Sequence, residues 1–118
     1  MQYTIIDMGI TRTDLFTGEQ NEVALFAKCF AHPARVAILE YLLQKNECVN
    51  STLVLELGLA QATISQHLKE LKNAGIIQGT VEGNSMNYCI NPETWKKLKE
   101  KFNNIFDQHV SCGGNDCC

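Results

Sequence analysis

The six cysteines are the residues of this sequence with the clearest capacity for chemistry. Three of them, Cys112, Cys117 and Cys118, lie close together at the end of the chain, with Gly113 and Gly114 between them. Thiolates are soft ligands that select soft ions. Three sulfurs without a fourth ligand suit the trigonal-pyramidal geometry of trivalent arsenite or antimonite. The cluster therefore indicates either a thiolate site for a metalloid or a set of thiols able to form a disulfide.

The remaining cysteines allow alternatives. A tetrahedral zinc or cadmium site would need a fourth ligand, and His109, Asp116 and Cys48 are the candidates. Cys48 can instead be a buried apolar residue. Cys29 and Cys89 fall in a predicted helix and a predicted strand, and we expect both in the core. In a reducing compartment, cysteines act more often as ligands or redox sensors than as permanent disulfides.

Length and composition limit the architecture that can hold these thiols. The chain has 118 residues, of which 45% are hydrophobic, and a formal net charge of −3. This suits one globular domain. No apolar run approaches the roughly 18 residues of a membrane span, and the N-terminus lacks a signal-peptide pattern, so we expect no membrane association and a cytoplasmic location. We predict one domain over residues 1–110 and a flexible cysteine-rich tail over 111–118.

Hydrophobic periodicity predicts a mainly α fold with a small β-hairpin. Five helices are expected, over 20–31, from Pro33 to about Asn46, over 51–57, over 61–73, and from Pro92 onward. The hairpin is expected over 76–90 with its turn at 82–85. Helices three and four are joined by a short turn containing Gly58, which is typical of a helix-turn-helix. A hairpin directly after them is a wing, so the order predicts a winged helix-turn-helix.

The fourth predicted helix carries a polar face opposite a buried stripe of Ile64, Leu68 and Leu71. Glutamine, threonine and serine near a helix N-terminus can reach base edges or bind phosphates, and lysines can contact the DNA backbone. We therefore predict binding of double-stranded DNA. The candidate contacts are Gln61, Thr63, Ser65, Gln66, His67, Lys69 and Lys72. His67 lies at the edge of the stripe and can equally be a packed, hydrogen-bonded residue.

The fifth helix has more apolar surface than a terminal helix needs to cover a small domain. Together with the first helix it can form a self-complementary patch, which predicts a homodimer. The predicted interface consists of Phe26, Phe30, Trp95, Leu98, Phe102, Ile105 and Phe106. The alternative is that this stripe packs only on its own domain. The lysines between 96 and 101 are interpreted as a solvated face.

Two segments, FAKCFAHPARVAILEYLL and QATISQHLKELKNAGII, resemble the ArsR/SmtB family of metal-responsive repressors. The resemblance extends from about Asn21 to about Phe106. It implies that residues 61, 63 and 65–67 contact operator DNA, and that the first and last helices build a homodimer. The family often has a Glu-Leu-Cys-Val-Cys box at the third helix. Here Cys48 matches its first cysteine, and Asn50 stands in place of the second.

Three departures from the family pattern affect DNA binding. Ala60 stands where the family usually has a serine N-cap, which lowers helix stability by roughly 1 kcal/mol. The predicted wing tip, Glu82 to Ser85, lacks the arginine that family wings often carry. The net charge is negative, so phosphate attraction and its salt dependence should be modest.

These features predict a transcriptional repressor with no obligatory cofactor. The dimer would bind an operator and leave it when a metalloid (arsenite or antimonite) or a soft metal ion binds the thiols of Cys112, Cys117 and Cys118, with Cys48 as a possible further ligand. One alternative is a thiol redox sensor of the same fold. Another is a thiol-based metalloid carrier or small enzyme without DNA binding. Against an enzyme, the sequence has no phosphate loop, no paired carboxylates and no His–Cys arrangement that requires catalysis.

Overall fold

A computed structural model describes residues 13–111 of the chain. After a 3-10 turn at Thr13–Leu15, the regular elements are α1 (Gly18–Lys28), α2 (Pro33–Lys45), β1 (Val49–Asn50), α3 (Ser51–Val54), a 3-10 turn (Leu55–Leu57), α4 (Gln61–Asn73), β2 (Ile77–Glu82), β3 (Ser85–Ile90) and α5 (Pro92–Phe106). The predicted class, mainly α with a hairpin wing, is confirmed.

Local signals explain where the long helices begin. Thr17 and Gln20 form a capping box at α1, in which each side chain binds the other residue's backbone N–H. His32 Nδ1 accepts a hydrogen bond from the Ala34 N–H at the start of α2. The Asn91 side chain accepts from Glu93 and Thr94 at the start of α5. Pro33 and Pro92 occupy the first helical turns, where a missing N–H costs nothing.

The core is a single cluster to which every long helix and the sheet contribute. Its most deeply buried side chains are Ile38, Leu39, Leu42, Val54, Ile64, Leu68, Leu71, Ile76 and Ile77. Burial of these aliphatic groups is the main source of stability. Because α4 supplies three of them, the position of its opposite, polar face is fixed by the core.

The sheet has three antiparallel strands in the order β1-β3-β2. In the wing, β2 pairs with β3 along their whole length, from Ile77 opposite Ile90 to Glu82 opposite Ser85. The turn needs a positive φ at Gly83, which glycine adopts without strain. On the other side, β1 pairs with β3 through two residues only, with Val49 opposite Tyr88 and Asn50 opposite Asn87.

Two helices and one strand differ from the sequence prediction. The first helix covers Gly18–Lys28 instead of 20–31, because Thr17 caps it and the chain leaves the helix at Cys29. The third helix is α-helical only over Ser51–Val54 and continues as a 3-10 turn. The strand β1 was not predicted. Among residues 13–111, no helix is long and apolar enough to cross a bilayer.

Candidate nucleic-acid interface

Helix α4 is the second helix of the helix-turn-helix, and its orientation determines what the domain presents to a partner. Ile64, Leu68 and Leu71 are almost completely buried and hold the helix against the core. Gly58, with a φ of +84°, turns the chain between α3 and α4. Ala60 is the N-cap of α4, and its side chain makes no capping hydrogen bond. The first backbone N–H groups of α4 therefore lack a side-chain cap.

The opposite face of α4 is polar and open. Six of the seven predicted DNA contacts are exposed on this helix, namely Gln61, Thr63, Ser65, Gln66, Lys69 and Lys72. Their arrangement brings hydrogen-bonding side chains to the N-terminal half and positive charge to the C-terminal half. Such a surface is suited to base edges and phosphates, respectively.

His67 is the exception among the predicted contacts, because it is only 8% exposed and packs against the protein. Its Nδ1 accepts a hydrogen bond of 3.1 Å from Arg35 Nε, and its ring centroid lies 4.6 Å from that of His32. Direct contact with DNA would require His67 to give up this packing. The sequence allowed His67 to be either a DNA contact or a packed, hydrogen-bonded residue. In the structure it is the packed residue.

Arg35 connects three helices around His67, and sequence reasoning missed it. Its Nη1 donates a hydrogen bond of 2.8 Å to the carbonyl oxygen of Lys28, at the end of α1, while its Nε holds His67 of α4. Burial lowers the pKa of His67, and the electrostatic interactions with neighbouring His32 and Arg35 lower it further. Neutral His67 thus helps to orient α4 at neutral pH.

Two carboxylates reduce the positive character of this surface. Gln66 Nε2 donates a hydrogen bond of 3.2 Å to Glu70 Oε2, one helical turn further along α4. At the wing tip, the Asn87 side chain donates a hydrogen bond to Glu82. Val81 beside it is 71% exposed. The wing tip therefore presents an acidic and an apolar group instead of a phosphate-binding cation.

Comparisons with known proteins agree with this geometry. Residues 32–78 match the family model described as "Bacterial regulatory protein, arsR family". The HTH-type transcriptional regulator MJ1325 of Methanocaldococcus jannaschii, itself named as uncharacterized, is 35% identical over 71 residues, which are 60% of this chain and 80% of that protein. This chain belongs to the arsR family of bacterial regulatory proteins. The family and its named members are transcriptional regulators and not enzymes.

Two further proteins show how far the likeness extends. The uncharacterized HTH-type transcriptional regulator Rv0081 of Mycobacterium tuberculosis is 40% identical over 67 residues, which are 57% of this chain and only 59% of that protein. Its crystal structure superposes with a TM-score of 0.59 at 29% identity, over 78% of this chain and 93% of that one. The solution structure of the homodimeric winged helix-turn-helix DNA-binding domain of Mb0332 from Mycobacterium bovis has a TM-score of 0.61 at 20% identity, over 86% and 95%. The winged helix-turn-helix fold is thereby established.

In this arsR-family chain, the predicted dimer residues divide into three groups. Phe26 and Leu98 are buried within the chain's own core, and Leu98 also lines the groove formed by the second group. Phe30, Trp95, Phe102 and Phe106 line an open, almost wholly apolar groove of about 430 Å³ between α1 and α5. Ile105 faces a second groove on the other side of α5. The interface itself stays a prediction.

Charged residues hold α1 and α5 together beside these apolar grooves. Lys97 Nζ lies 2.6 Å from Glu22, and Lys101 Nζ lies 2.8 Å from Glu19 and 3.1 Å from Glu22. The two lysine hydrogen bonds lower the pKa of Glu22. Lys97 and Lys101 therefore pair with carboxylates of α1, whereas the sequence predicted a solvated lysine face with weak ion pairs within α5.

The predicted metal ligands are only partly within the described residues. Cys112, Cys117 and Cys118 lie outside them, as does Asp116. Cys48 is exposed and forms a disulfide with Cys89, so its thiol is not free to bind metal in this state. The pairing also corrects the expectation for Cys89, which lies half-buried in β3 and not in the core. Within residues 13–111, no three or more His, Cys, Asp or Glu side chains are grouped as a metal site.

Cys29 lies in the core, as predicted, with 2% of its surface exposed. Its sulfur lies 3.7 Å from the Leu25 carbonyl oxygen, one turn back in α1. Burial raises the pKa of its thiol to about 11. Cys29 is thus a neutral, unreactive thiol at physiological pH.

Proposed function

We propose that this protein is a homodimeric transcriptional repressor that binds double-stranded operator DNA through α4 and the wing. The observation that carries the proposal is the exposed polar face of α4, with Gln61, Thr63, Ser65 and Gln66 near its N-terminus and a buried stripe behind it. A helix held this way can lie in a major groove with its side chains against base edges. Bound to a promoter, the domain would block transcription.

Dimerisation through α1 and α5 would set the distance between the two copies of α4. A twofold interface needs a self-complementary patch, and the apolar groove that contains Phe30, Trp95 and Phe102 is the surface that would pack against its copy in the partner. Mb0332, whose domain has the same fold, is described as homodimeric. Two copies of α4 would then reach successive major grooves about 34 Å apart, so the operator should be an imperfect palindrome.

We propose further that thiolate binding of trivalent arsenite or antimonite, or of a soft metal ion, releases the DNA. The ligands would be Cys112, Cys117 and Cys118, whose spacing and flanking glycines allow three sulfurs to converge on one ion. Cys48 can join them only after its bond to Cys89 has been reduced. Release requires the ion to favour the DNA-free arrangement by roughly 1–3 kcal/mol or more.

DNA binding can be tested with a labelled duplex from the promoter region upstream of the protein's own gene. Gln66→Ala should weaken binding by roughly 5- to 150-fold if Gln66 reads a base, since a good base contact is worth about 1–3 kcal/mol. Gln44→Ala is the matched control, because Gln44 is also an exposed helical glutamine but lies on α2, outside α4 and the grooves beside α5. Equal affinities for both variants would contradict the proposed role of α4.

The effector is tested separately on the same duplex. Arsenite, antimonite, cadmium and zinc are each titrated into the wild-type complex and into the complex of a Cys117→Ser/Cys118→Ser variant. We expect arsenite or antimonite to release the wild type and to leave the variant bound. Release of the variant at the same arsenite concentration would exclude the tail thiols as the site.

A further inference from the structure

The position of the Cys48–Cys89 disulfide follows from the sheet itself. The β1–β3 register pairs Val49 with Tyr88 and Asn50 with Asn87, so continuing the register by one residue brings Cys48 opposite Cys89. Their Cα atoms are 4.3 Å apart. This is close to the separation of about 4.5 Å at the narrow pairs of an antiparallel ladder. The sheet register therefore places the two cysteines directly opposite each other.

The bond connects two parts of the proposed DNA-binding surface. Cys48 directly precedes β1, and Asn50 at the end of β1 is the N-cap of α3, the first helix of the helix-turn-helix. Cys89 belongs to β3, the second strand of the wing. The 41-residue separation of the two cysteines spans α3, α4 and the wing turn. Without the bond, β1 is joined to β3 by two residue pairs only.

Small molecules can reach this pair from solvent. Cys48 is exposed, and both cysteines line an open groove of about 490 Å³ between α2, the wing and α5. Lys96 and Lys99 lie along the same groove and outweigh the single carboxylate of Glu47, which favours approach of anionic thiols. Exposed disulfides are the ones most readily reduced. Buried Cys29 has none of these properties.

We infer that Cys48 and Cys89 form a reversible dithiol–disulfide couple that controls how firmly the wing is fixed to the helix-turn-helix, and hence operator affinity. The inference rests on the proposed DNA-binding function. It assigns the redox response to the sheet and not to the three cysteines of the tail. A cystine in a reducing compartment is typically transient or sensory, which agrees with a switch instead of a permanent link.

Both directions of the reaction balance with ordinary reagents. In oxidation, one thiolate attacks a hydroperoxide to give a sulfenic acid and an alcohol or water. The second thiol then attacks the sulfenic sulfur, which forms the S–S bond and releases water. In reduction, the thiolate of a low-molecular-weight thiol attacks one sulfur, and the other leaves as a thiolate that takes up a proton. A second such thiolate then attacks the small-molecule sulfur of the mixed disulfide, which forms a small-molecule disulfide and releases the second protein thiolate to take up a proton.

Oxidation should strengthen DNA binding. The crosslink restricts the wing to the arrangement in which it flanks α4, so less conformational freedom is lost when the duplex is bound. We expect the oxidised protein to bind at least about fivefold more tightly than the reduced protein, as for an ordinary allosteric coupling.

The test uses the full chain with Cys112, Cys117 and Cys118 changed to serine, so that Cys29 and the pair are the remaining thiols. The protein is equilibrated in buffers of different ratios of reduced to oxidised glutathione, and free thiols are trapped by alkylation and counted by intact mass. Operator affinity is measured in the same buffers by fluorescence anisotropy. A Cys48→Ser/Cys89→Ser variant in the same background is the control.

We expect one two-electron transition of the pair, an affinity change that follows it, and a control that binds like the reduced protein in every buffer. A pair that never forms, or never opens in the folded protein, overturns the inference. So does a transition that leaves the affinity unchanged while the duplex is still bound. If no form binds the duplex, the proposed function itself fails, and the mass data then report on the couple independently of DNA.

Discussion

His67 shows how one side chain on the buried side of α4 can make stability depend on pH. Its Nδ1 must be unprotonated to accept the hydrogen bond from Arg35, and burial together with His32 and Arg35 lowers its pKa below the ordinary value of 6.5, while Glu70 partly opposes the shift. The unfolded chain therefore binds this proton more readily than the folded one. The stability that neutral His67 contributes is complete above pH 6.5 and is lost as the pH falls toward the lower, folded-state pKa.

The free energy of unfolding, measured by urea titration, should accordingly decrease between about pH 7.5 and about pH 5.5. His67→Gln should flatten this dependence, because an amide oxygen can accept the Arg35 hydrogen bond at every pH in this range. His109→Gln should leave the dependence as in the wild type, since His109 is exposed. A wild-type slope that survives in His67→Gln would assign the effect to another group.

Glu70 is expected to weaken operator binding, because its negative charge lies on α4, the helix proposed to approach phosphates. Its carboxylate holds the Gln66 side chain and opposes the attraction supplied by Lys69 and Lys72. Glu70→Gln should tighten operator binding roughly two- to fivefold at low salt, a range suited to a solvent-screened charge. Anisotropy titrations at low and high salt measure this, and the gain should shrink at high salt.

Glu100→Gln is the matched control for that substitution. It removes the same charge from an exposed position on α5, away from α4. If both variants gained equally, the cause would be the net charge of the molecule, and Glu70 would have no local role.

At the scale of elements, the uncapped start of α4 is the clearest weakness in the structure. Ala60 has the extended backbone of an N-cap, with φ −64° and ψ 146°, and its methyl group cannot accept a hydrogen bond. Ala60→Ser would supply the missing acceptor and should raise the free energy of unfolding by about 1 kcal/mol. The urea midpoint should increase with an unchanged m-value.

Ala62→Ser provides the comparison, because it adds the same hydroxyl within the first turn of α4 and not at its cap. A change within about 0.5 kcal/mol is expected there. A gain of similar size in both variants would mean that capping is not the origin of the stabilisation.

Elements with strong local signals were predicted well from the sequence. The bounds of α4 agree because Ile64, Leu68 and Leu71 give a clear helical period and Gly75 stops it. The hairpin agrees because turn residues lie between two β-forming runs. The start of α1 was missed because Gly18, a poor helix former, hid the Thr17–Gln20 capping box.

The parts that escaped prediction depend on contacts between distant residues. Strand β1 is two residues long and exists only because β3 offers it a partner. The pairing of Cys48 with Cys89 depends on that register, so no local pattern indicates it. Arg35 likewise gains its role only when α1, α2 and α4 meet. By contrast, six of the seven predicted DNA contacts are exposed as expected, because exposure on α4 follows directly from its period.

For the whole molecule, the net charge opposes DNA binding, whereas the local charge beside α4 favours it. The net charge of −3 does not favour nonspecific attraction to DNA. Binding must then depend on the few cations beside α4 and on two domains acting together. Operator binding by this protein should therefore depend on dimerisation more strongly than operator binding by a strongly basic domain would.

This requirement can be tested at Phe106, the most exposed of the predicted interface residues. Its side chain is 72% exposed, and its ring stacks on that of Phe102 at 5.7 Å. Phe106→Glu would place a charge in the apolar groove and should convert the dimer to monomers in sedimentation experiments. Since the two half-sites would then be bound independently, operator affinity should fall roughly 100-fold or more.

Leu43→Glu separates this effect from a general loss of stability. Leu43 is 39% exposed on α2, away from the α1–α5 groove, so the same kind of substitution there should leave both the dimer and the operator affinity intact. Circular dichroism of both variants should show native helix content, because neither side chain belongs to the core. A Phe106→Glu protein that stays dimeric and binds the operator normally would place the interface elsewhere, and the spacing of the two α4 helices would have to be derived from that other surface.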